Sequence, residues 1–336
     1  MILRDKNLAV SVNAKSTPTG SATLFTLPRS SDDHLASFPK NGTVFFPAQD
    51  GGPDAGLYHP GSGTVSFTFT HRDAGLPLSA LITYKLNVTN STMLNPTFLV
   101  NVTSTSYATA AAGLLEGGLE APHLANPANA SDTSVWLAME GGSLAARVDL
   151  FSMKVLQTID LRVVGCSTPA GLDVDAQLSL LFVACRGGDL QGNMGRGVPM
   201  MAVFNTSAAA ANEPLLYSSL IGKHVDGLVY SPATGSKTGR VFLSCGADAV
   251  ILVFEVTASG SVVRPMEGIA TMPGAKTLAV DPTSRTIFTV APRGSRNLTG
   301  VDLSIGGSAA AQSAENFYPS TWTADSYTLL AFSPSK

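Results

Sequence analysis

Three charged residues in the second half of the chain, Arg186, Asp226 and Lys276, are of the types that capture an anion. A guanidinium fork and an ammonium point charge suit a carboxylate or a phosphate, and a carboxylate beside them would orient both. The competing reading is an ion pair that only ties structural elements together. His34, His123 and His224 add imidazoles, and His34 and His123 with Asp226 are donors a divalent ion accepts. No His-x-His or His-x-x-x-His spacing accompanies them, so they are read as polar groups available to a ligand and no metal is assigned. The three cysteines leave one thiol over. Cys166 with Cys185 is the expected disulfide and Cys185 with Cys245 the competing pair, since sequence does not show the required Cα separation. There is no Cys-x-x-Cys, no Gly-x-Ser-x-Gly, no phosphate-binding loop and no dinucleotide fingerprint, so neither a nucleophile nor a cofactor is assigned. The glycine-rich run 187–197 joins two strands instead of entering a helix, and a phosphate cradle needs the helix N-terminus.

The elements that must position these residues form a unit written three times. The first copy is Thr168-Pro-Ala-Gly-Leu-Asp-Val-Asp175 followed by Leu180-Leu-Phe-Val-Ala-Cys185. The second is Val225-Asp-Gly-Leu-Val-Tyr-Ser-Pro232 followed by Arg240-Val-Phe-Leu-Ser-Cys245, and the third Lys276-Thr-Leu-Ala-Val-Asp-Pro282 followed by Thr286-Ile-Phe-Thr-Val-Ala-Pro292. Each is an apolar strand, a turn and a β-branched strand, with a further strand pair such as Ala202–Asn205 and Leu215–Ser218 after it. Repetition at roughly 40–50 residues with four strands per unit is the pattern of β-propeller blades. Leu35, Leu76, Leu124, Leu172, Leu228 and Leu278 are taken as equivalent anchors in innermost strands. In that alignment Asp33-Pro39 and Thr43-Pro47 form an inner pair, with Gly56-His59 and Val65-Thr70 outside it. The runs Leu8–Val12 and Ala22–Leu27 are then outer strands of an incomplete first blade, or the segment that closes the ring. The last strand, Tyr327–Phe332, should complete the final blade with N-terminal residues, because an open ring exposes two sheet edges. The expectation is an all-β single domain over 1–336, a seven-bladed propeller with an incomplete first blade, or alternatively a six-bladed one. Residues just before each anchor leucine would then meet at one mouth of the channel, together with Arg186 at the end of a second strand.

Cys166-x-x-Pro169-x-Gly171-Leu172, Leu181-Phe-Val-Ala-Cys-Arg186, Ser231-Pro-Ala-Thr-Gly235 and Gly274-Ala-Lys-Thr-Leu-Ala-Val-Asp-Pro282 resemble the YVTN-type, YncE-like seven-bladed propellers over about residues 120–336. The resemblance implies seven blades, an acidic residue at the position of Asp226, basic ones at those of Arg186 and Lys276, and a periplasmic or surface setting. It implies no particular activity.

Composition narrows the classes. The chain has 336 residues, 44% hydrophobic and 13% charged, with net charge −3, which supplies a large core and no basic stripe for nucleic acid. No apolar run is long enough to span a membrane, and the opening Met-Ile-Leu-Arg-Asp-Lys has no signal-peptide core. Against this, sequons occur at Asn41, Asn87, Asn90, Asn101, Asn129, Asn205 and Asn297, where chance would supply about three. These point to an extracellular or cell-surface glycoprotein. The favoured function is non-enzymatic binding of a protein, a glycan or a small anion at the channel mouth. The alternative is a propeller lactonase, hydrolase or cofactor-dependent dehydrogenase working there.

Overall fold

A computed structural model describes residues 2–3, 8–13, 21–26, 40–45, 52–71, 78–85, 97–103, 119–140, 142–150, 152, 154–187, 198–207, 214–233, 238–257, 263–281, 284–295 and 321–333. They form six antiparallel sheets, five of four strands and one of three. Strands follow one another by hairpins within each sheet, so each sheet is a local meander. This is blade architecture, and the fold is an all-β, multi-blade propeller. By internal contacts the chain divides into two compact units, Met1–Leu161 and Arg162–Lys336, of three sheets each.

In the first unit, β1 (Ile2–Leu3), β2 (Leu8–Asn13), β3 (Ser21–Thr26) and β4 (Lys40–Phe45) make a sheet of their own. Next come β5 (Gly52–His59), β6 (Thr64–His71), β7 (Leu78–Lys85) and β8 (Thr97–Thr103), then β9 (Leu119–Leu124), β10 (Ser134–Met139), β11 (Leu144–Asp149) and β12 (Val155–Asp160). The expected N-terminal alignment is therefore half a blade out. β4 is a fourth strand, not part of an inner pair, and β5 and β6 are first and second strands, not outer ones. Leu35 and Leu76 lie outside the described residues, in the sequence between β3 and β4 and between β6 and β7. The sequence Asp-Ala-Gly-Leu occurs at 54–57 and again at 73–76, and it is the earlier copy, in β5, that opens a sheet. Leu124 sits in β9 as expected. His59 ties the turns of neighbouring sheets: it accepts from Ser62 N–H at Nδ1 within its own turn, which leaves the proton on Nε2 to donate to the Asp132 carbonyl across to the next sheet at 2.9 Å.

The second unit holds β13 (Pro169–Asp175), β14 (Leu180–Cys185), β15 (Met200–Asn205) and β16 (Leu215–Leu220). The next sheet is β17 (Val225–Ser231), β18 (Gly239–Cys245), β19 (Val250–Val256) and β20 (Val263–Ala270). The last is β21 (Leu278–Val280), β22 (Ile287–Ser295) and β23 (Thr321–Phe332). Leu172, Leu228 and Leu278 all fall in first strands, β13 packs on β17, and β17 on β21. Between the first two of these sheets lies a core of Phe182, Met201, Val203, Val225, Leu228, Tyr230 and their neighbours, with the Phe182 and Tyr230 rings stacked at 4.7 Å. Tyr230 is the main cross-sheet tie. Its amide donates to Asp173 at 2.7 Å and its hydroxyl to Asp175 at 2.8 Å, and burial holds the phenol far above its usual range. Among the described residues β23 pairs only with β22, and the N-terminal strands lie in their own sheet, so the expected joint closing blade is not formed by them.

Candidate functional site

The second unit repeats one local device where each first strand begins. Thr168, His224 and Gly274 each stand four residues before an anchor leucine and each is left-handed, at φ 55°, 55° and 88°. L-residues with side chains avoid that region. Here backbone bonds hold it: Arg186 N–H donates to the Thr168 carbonyl at 3.0 Å, and Gly246 N–H to the His224 carbonyl at 3.1 Å. Two residues further on, the ladder slips. Pro169 faces Cys185 and Gly171 faces Ala184, leaving Ala170 over; Val225 faces Cys245 and Gly227 faces Ser244, leaving Asp226 over. A bulge frees its extra residue from the alternation of the strand and re-aims the side chain. Asp226 is that residue.

Its carboxylate is held from both sides. Arg186, one residue past β14, donates from its guanidinium to Oδ1 of Asp226 and from Nε to the Val225 carbonyl at 3.2 Å. Lys276, two residues ahead of β21, brings Nζ to 2.8 Å from Oδ2. The structure thus brings Arg186, Asp226 and Lys276 together, one from each sheet. Side-chain exposure rises from 14% for Asp226 through 26% for Arg186 to 47% for Lys276. The acid is the inner member, and the ammonium is the group that meets solvent. Net charge across the three is +1.

Two glycines make this approach possible. A Cβ on Gly227 would stand 2.8 Å from the Ser244 hydroxyl and 2.9 Å from the Leu278 amide. Without it, Gly227 N–H donates to the Lys276 carbonyl at 2.8 Å, and the Ser244 hydroxyl donates to the same oxygen. Gly246 stands where Arg186 stands one sheet earlier, and a Cβ there would stand 2.8 Å from the Lys276 Cβ. An arginine in every sheet would leave no room for the lysine. Ser244, Gly227 and Gly246 are supports that pattern reading passes over. The signal for Gly246 was available, since it follows Cys245 as Arg186 follows Cys185.

The Sγ atoms of Cys166 and Cys185 are bonded, with Cα atoms 5.5 Å apart. The crosslink fixes the segment that carries Thr168 to the strand end that carries Arg186. Cys245 is free and buried; burial pushes its thiol up to about 12, so it stays a neutral thiol at physiological pH. His224 contributes its left-handed backbone. His123 lies half-buried in β9 of the first unit, and His34 lies outside the described residues. No set of three or more His, Cys, Asp or Glu side chains fit to hold a metal occurs among the described residues. Of the sequons, Asn129 is exposed on the connection from β9 to β10, Asn41 and Asn101 lie in β4 and β8, and Asn205 ends β15. Asn87, Asn90 and Asn297 lie outside the described residues.

Removing the shared carboxylate tests how much the triad stabilises. Asp226→Asn keeps the shape but leaves two half-screened cations facing a neutral amide. A loss of about 2 kcal/mol is expected, less than for a fully buried pair because Lys276 reaches water. Urea unfolding measures it, and a companion Asp226→Asn/Lys276→Met protein should recover part of the loss. If the single variant unfolds with the wild-type midpoint, the ion pairs contribute nothing net.

No family model matches this chain, and no curated protein matches it. Solved structures do. A protein from Lactobacillus plantarum superposes with a TM-score of 0.54 at 14% identity, over 91% of this chain and 82% of its own. The likeness is to the fold. Sqt1 from Chaetomium thermophilum, solved bound to the N-terminus of the ribosomal protein L10, gives a TM-score of 0.52 at 16% identity, over 85% of this chain. This chain spans 66% of that protein's length. A candidate 6-phosphogluconolactonase from Bacteroides fragilis gives 0.49 at 11% identity, over 81% of this chain and 84% of its own. Sqt1 is a β-propeller, in agreement with the sheets described above.

Proposed function

We propose that this chain is a non-enzymatic propeller of the YVTN type that binds an anionic group, free or carried on a protein or glycan, at the strand-start end of its second unit. The observation that carries the reading is the Arg186–Asp226–Lys276 triad. Asp226 holds both cations in place and offsets one of their two charges, and the Lys276 ammonium, paired with it at 2.8 Å, keeps a half-exposed side toward solvent where a ligand can approach. Such a preset arrangement lowers the ordering cost of binding. An extracellular or cell-surface setting is part of the proposal. The Cys166–Cys185 bond supports it, since disulfides persist in oxidising compartments, and the exposed Asn129 sequon is open to a glycan.

Fluorescence anisotropy with a labelled hexaglutamate peptide, against hexaglutamine, tests the binding. The acidic peptide should bind more tightly, and more weakly as salt rises from 50 to 200 mM, exposed charges being screened within about 8 Å at physiological ionic strength. Lys276→Ala should weaken it by about fivefold with the thermal midpoint unchanged, because a rim charge packs little core. Equal affinity for both peptides, or for wild type and variant, would sink the reading.

A further inference from the structure

The opposite, turn end of the last two sheets carries a second positive cluster with a different character. Arg285 stands in the turn between β21 and β22, left-handed at φ 59° and only 7% exposed. Its guanidinium donates at 3.0 Å to the Pro232 carbonyl and at 3.0 Å to the Thr238 carbonyl of the preceding sheet. These are neutral acceptors, so the buried charge is solvated but not neutralised. Its electrostatic neighbour is another arginine, Arg240 of β18; burial and that neighbour together hold the Arg285 charge less firmly than usual. The Nε–H of Arg240 is buried and has no hydrogen-bond partner. Glu255, opposite Arg240 in the ladder, is the acid placed to answer it, but its carboxylate accepts from the Thr238 hydroxyl at 2.7 Å and from Arg264 on the other side. Asp175 is equally committed, to the Tyr230 hydroxyl and to the amides of Gln177 and Leu178. Among the described residues neither Arg240 nor Arg285 has a carboxylate within salt-bridge distance.

Arg285 is buried on neutral acceptors, Arg240 keeps an orphaned donor, and the two charges repel each other; Glu255, which draws on Arg240 from beyond salt-bridge distance, is already engaged by Thr238 and Arg264. A buried charge is tolerated when it is paired, and a buried donor without an acceptor costs its desolvation. Planar guanidinium donors match the oxygens of a carboxylate or phosphate. We propose that Arg240 and Arg285 hold a small oxyanion of phosphate or sulfate size between the last two sheets. It would neutralise the pair, accept from Arg240 Nε, and clamp the turn of one sheet to the loop of the other. The site is separate from the Arg186–Asp226–Lys276 triad and does not depend on it.

Thermal unfolding of the full chain in inorganic phosphate, against chloride at equal ionic strength, reads the proposal. The midpoint should rise saturably, by about 2–3 °C at ten times the dissociation constant. Arg240→Met removes the orphaned donor and the like charge. It should raise the midpoint in chloride and remove the greater part of the saturable response, while Lys276→Ala, which weakens anion binding only at the other end, keeps that part. If Arg240→Met fails to fold, Arg240→Gln serves, with calorimetric titration of phosphate into the wild type as the second measurement. A phosphate increment equal in wild type and variant is the general exclusion of that salt from protein surfaces and overturns the proposal. So does a response lost in Lys276→Ala and kept in Arg240→Met, which would place the anion at the other end.

Discussion

Phe182→Ala should destabilise the second unit by about 3–5 kcal/mol, the range for removing a buried aromatic ring. Phe182 is fully buried at the centre of β14, and its ring lies on Tyr230 of the next sheet. The cavity would open between two sheets, where Met201, Val203 and Leu228 already pack on several sides and cannot collapse into it without shifting strands. The Tyr230 hydroxyl would keep its bond to Asp175 while its ring lost its partner, so Phe182→Leu should recover a good part of the loss. Urea unfolding followed by circular dichroism gives the number. A loss below about 1 kcal/mol would mean that this inter-sheet core is not closed as described.

Reduction of the Cys166–Cys185 bond should cost about 3 kcal/mol. The residues are 19 apart, and a loop of that size removes about this much denatured-state entropy when closed. The native state also depends on the link, since it fixes Thr168 in its left-handed conformation beside the strand end that bears Arg186. A Cys166→Ser/Cys185→Ser protein should therefore show a lower urea midpoint and a weaker hexaglutamate interaction together. An unchanged midpoint after complete reduction, verified by alkylation of all three cysteines, would show that the bond constrains nothing the strands do not already hold.

The second unit was largely legible because its signals are local. An apolar strand, a polar turn and a second apolar strand can each be read within a dozen residues, and Leu172, Leu228 and Leu278 mark them. The first unit was not, and the reason is specific. Asp-Ala-Gly-Leu appears twice within twenty residues, and nothing in either copy says which one opens a sheet. Reading the second copy as the opener moves every strand ahead of it by half a blade. The meeting of Arg186, Asp226 and Lys276 followed from register alone, since all three stand at the same end of their strands. The ties made by Tyr230, His59 and Arg285 did not. Each crosses from one sheet to the next, and such a contact depends on how sheets stack, for which a single strand's pattern carries no information.

The bulges separate two kinds of change. Substituting a residue inside a ladder alters pairing on both sides, so it tests the sheet before it tests anything else. Ala170 and Asp226 stand outside the pairing, and Lys276 stands ahead of it. Ala170 is enclosed by its neighbours, so only Asp226 and Lys276 can alter what the end of the unit presents while the hydrogen-bonded frame keeps its count. Those two behave as a cassette: a designer could exchange them together, for instance reversing both charges so that an ion pair survives, and obtain a different surface on the same ladder. Lineages of this chain could diversify that end by the same route, provided the two positions change as a pair.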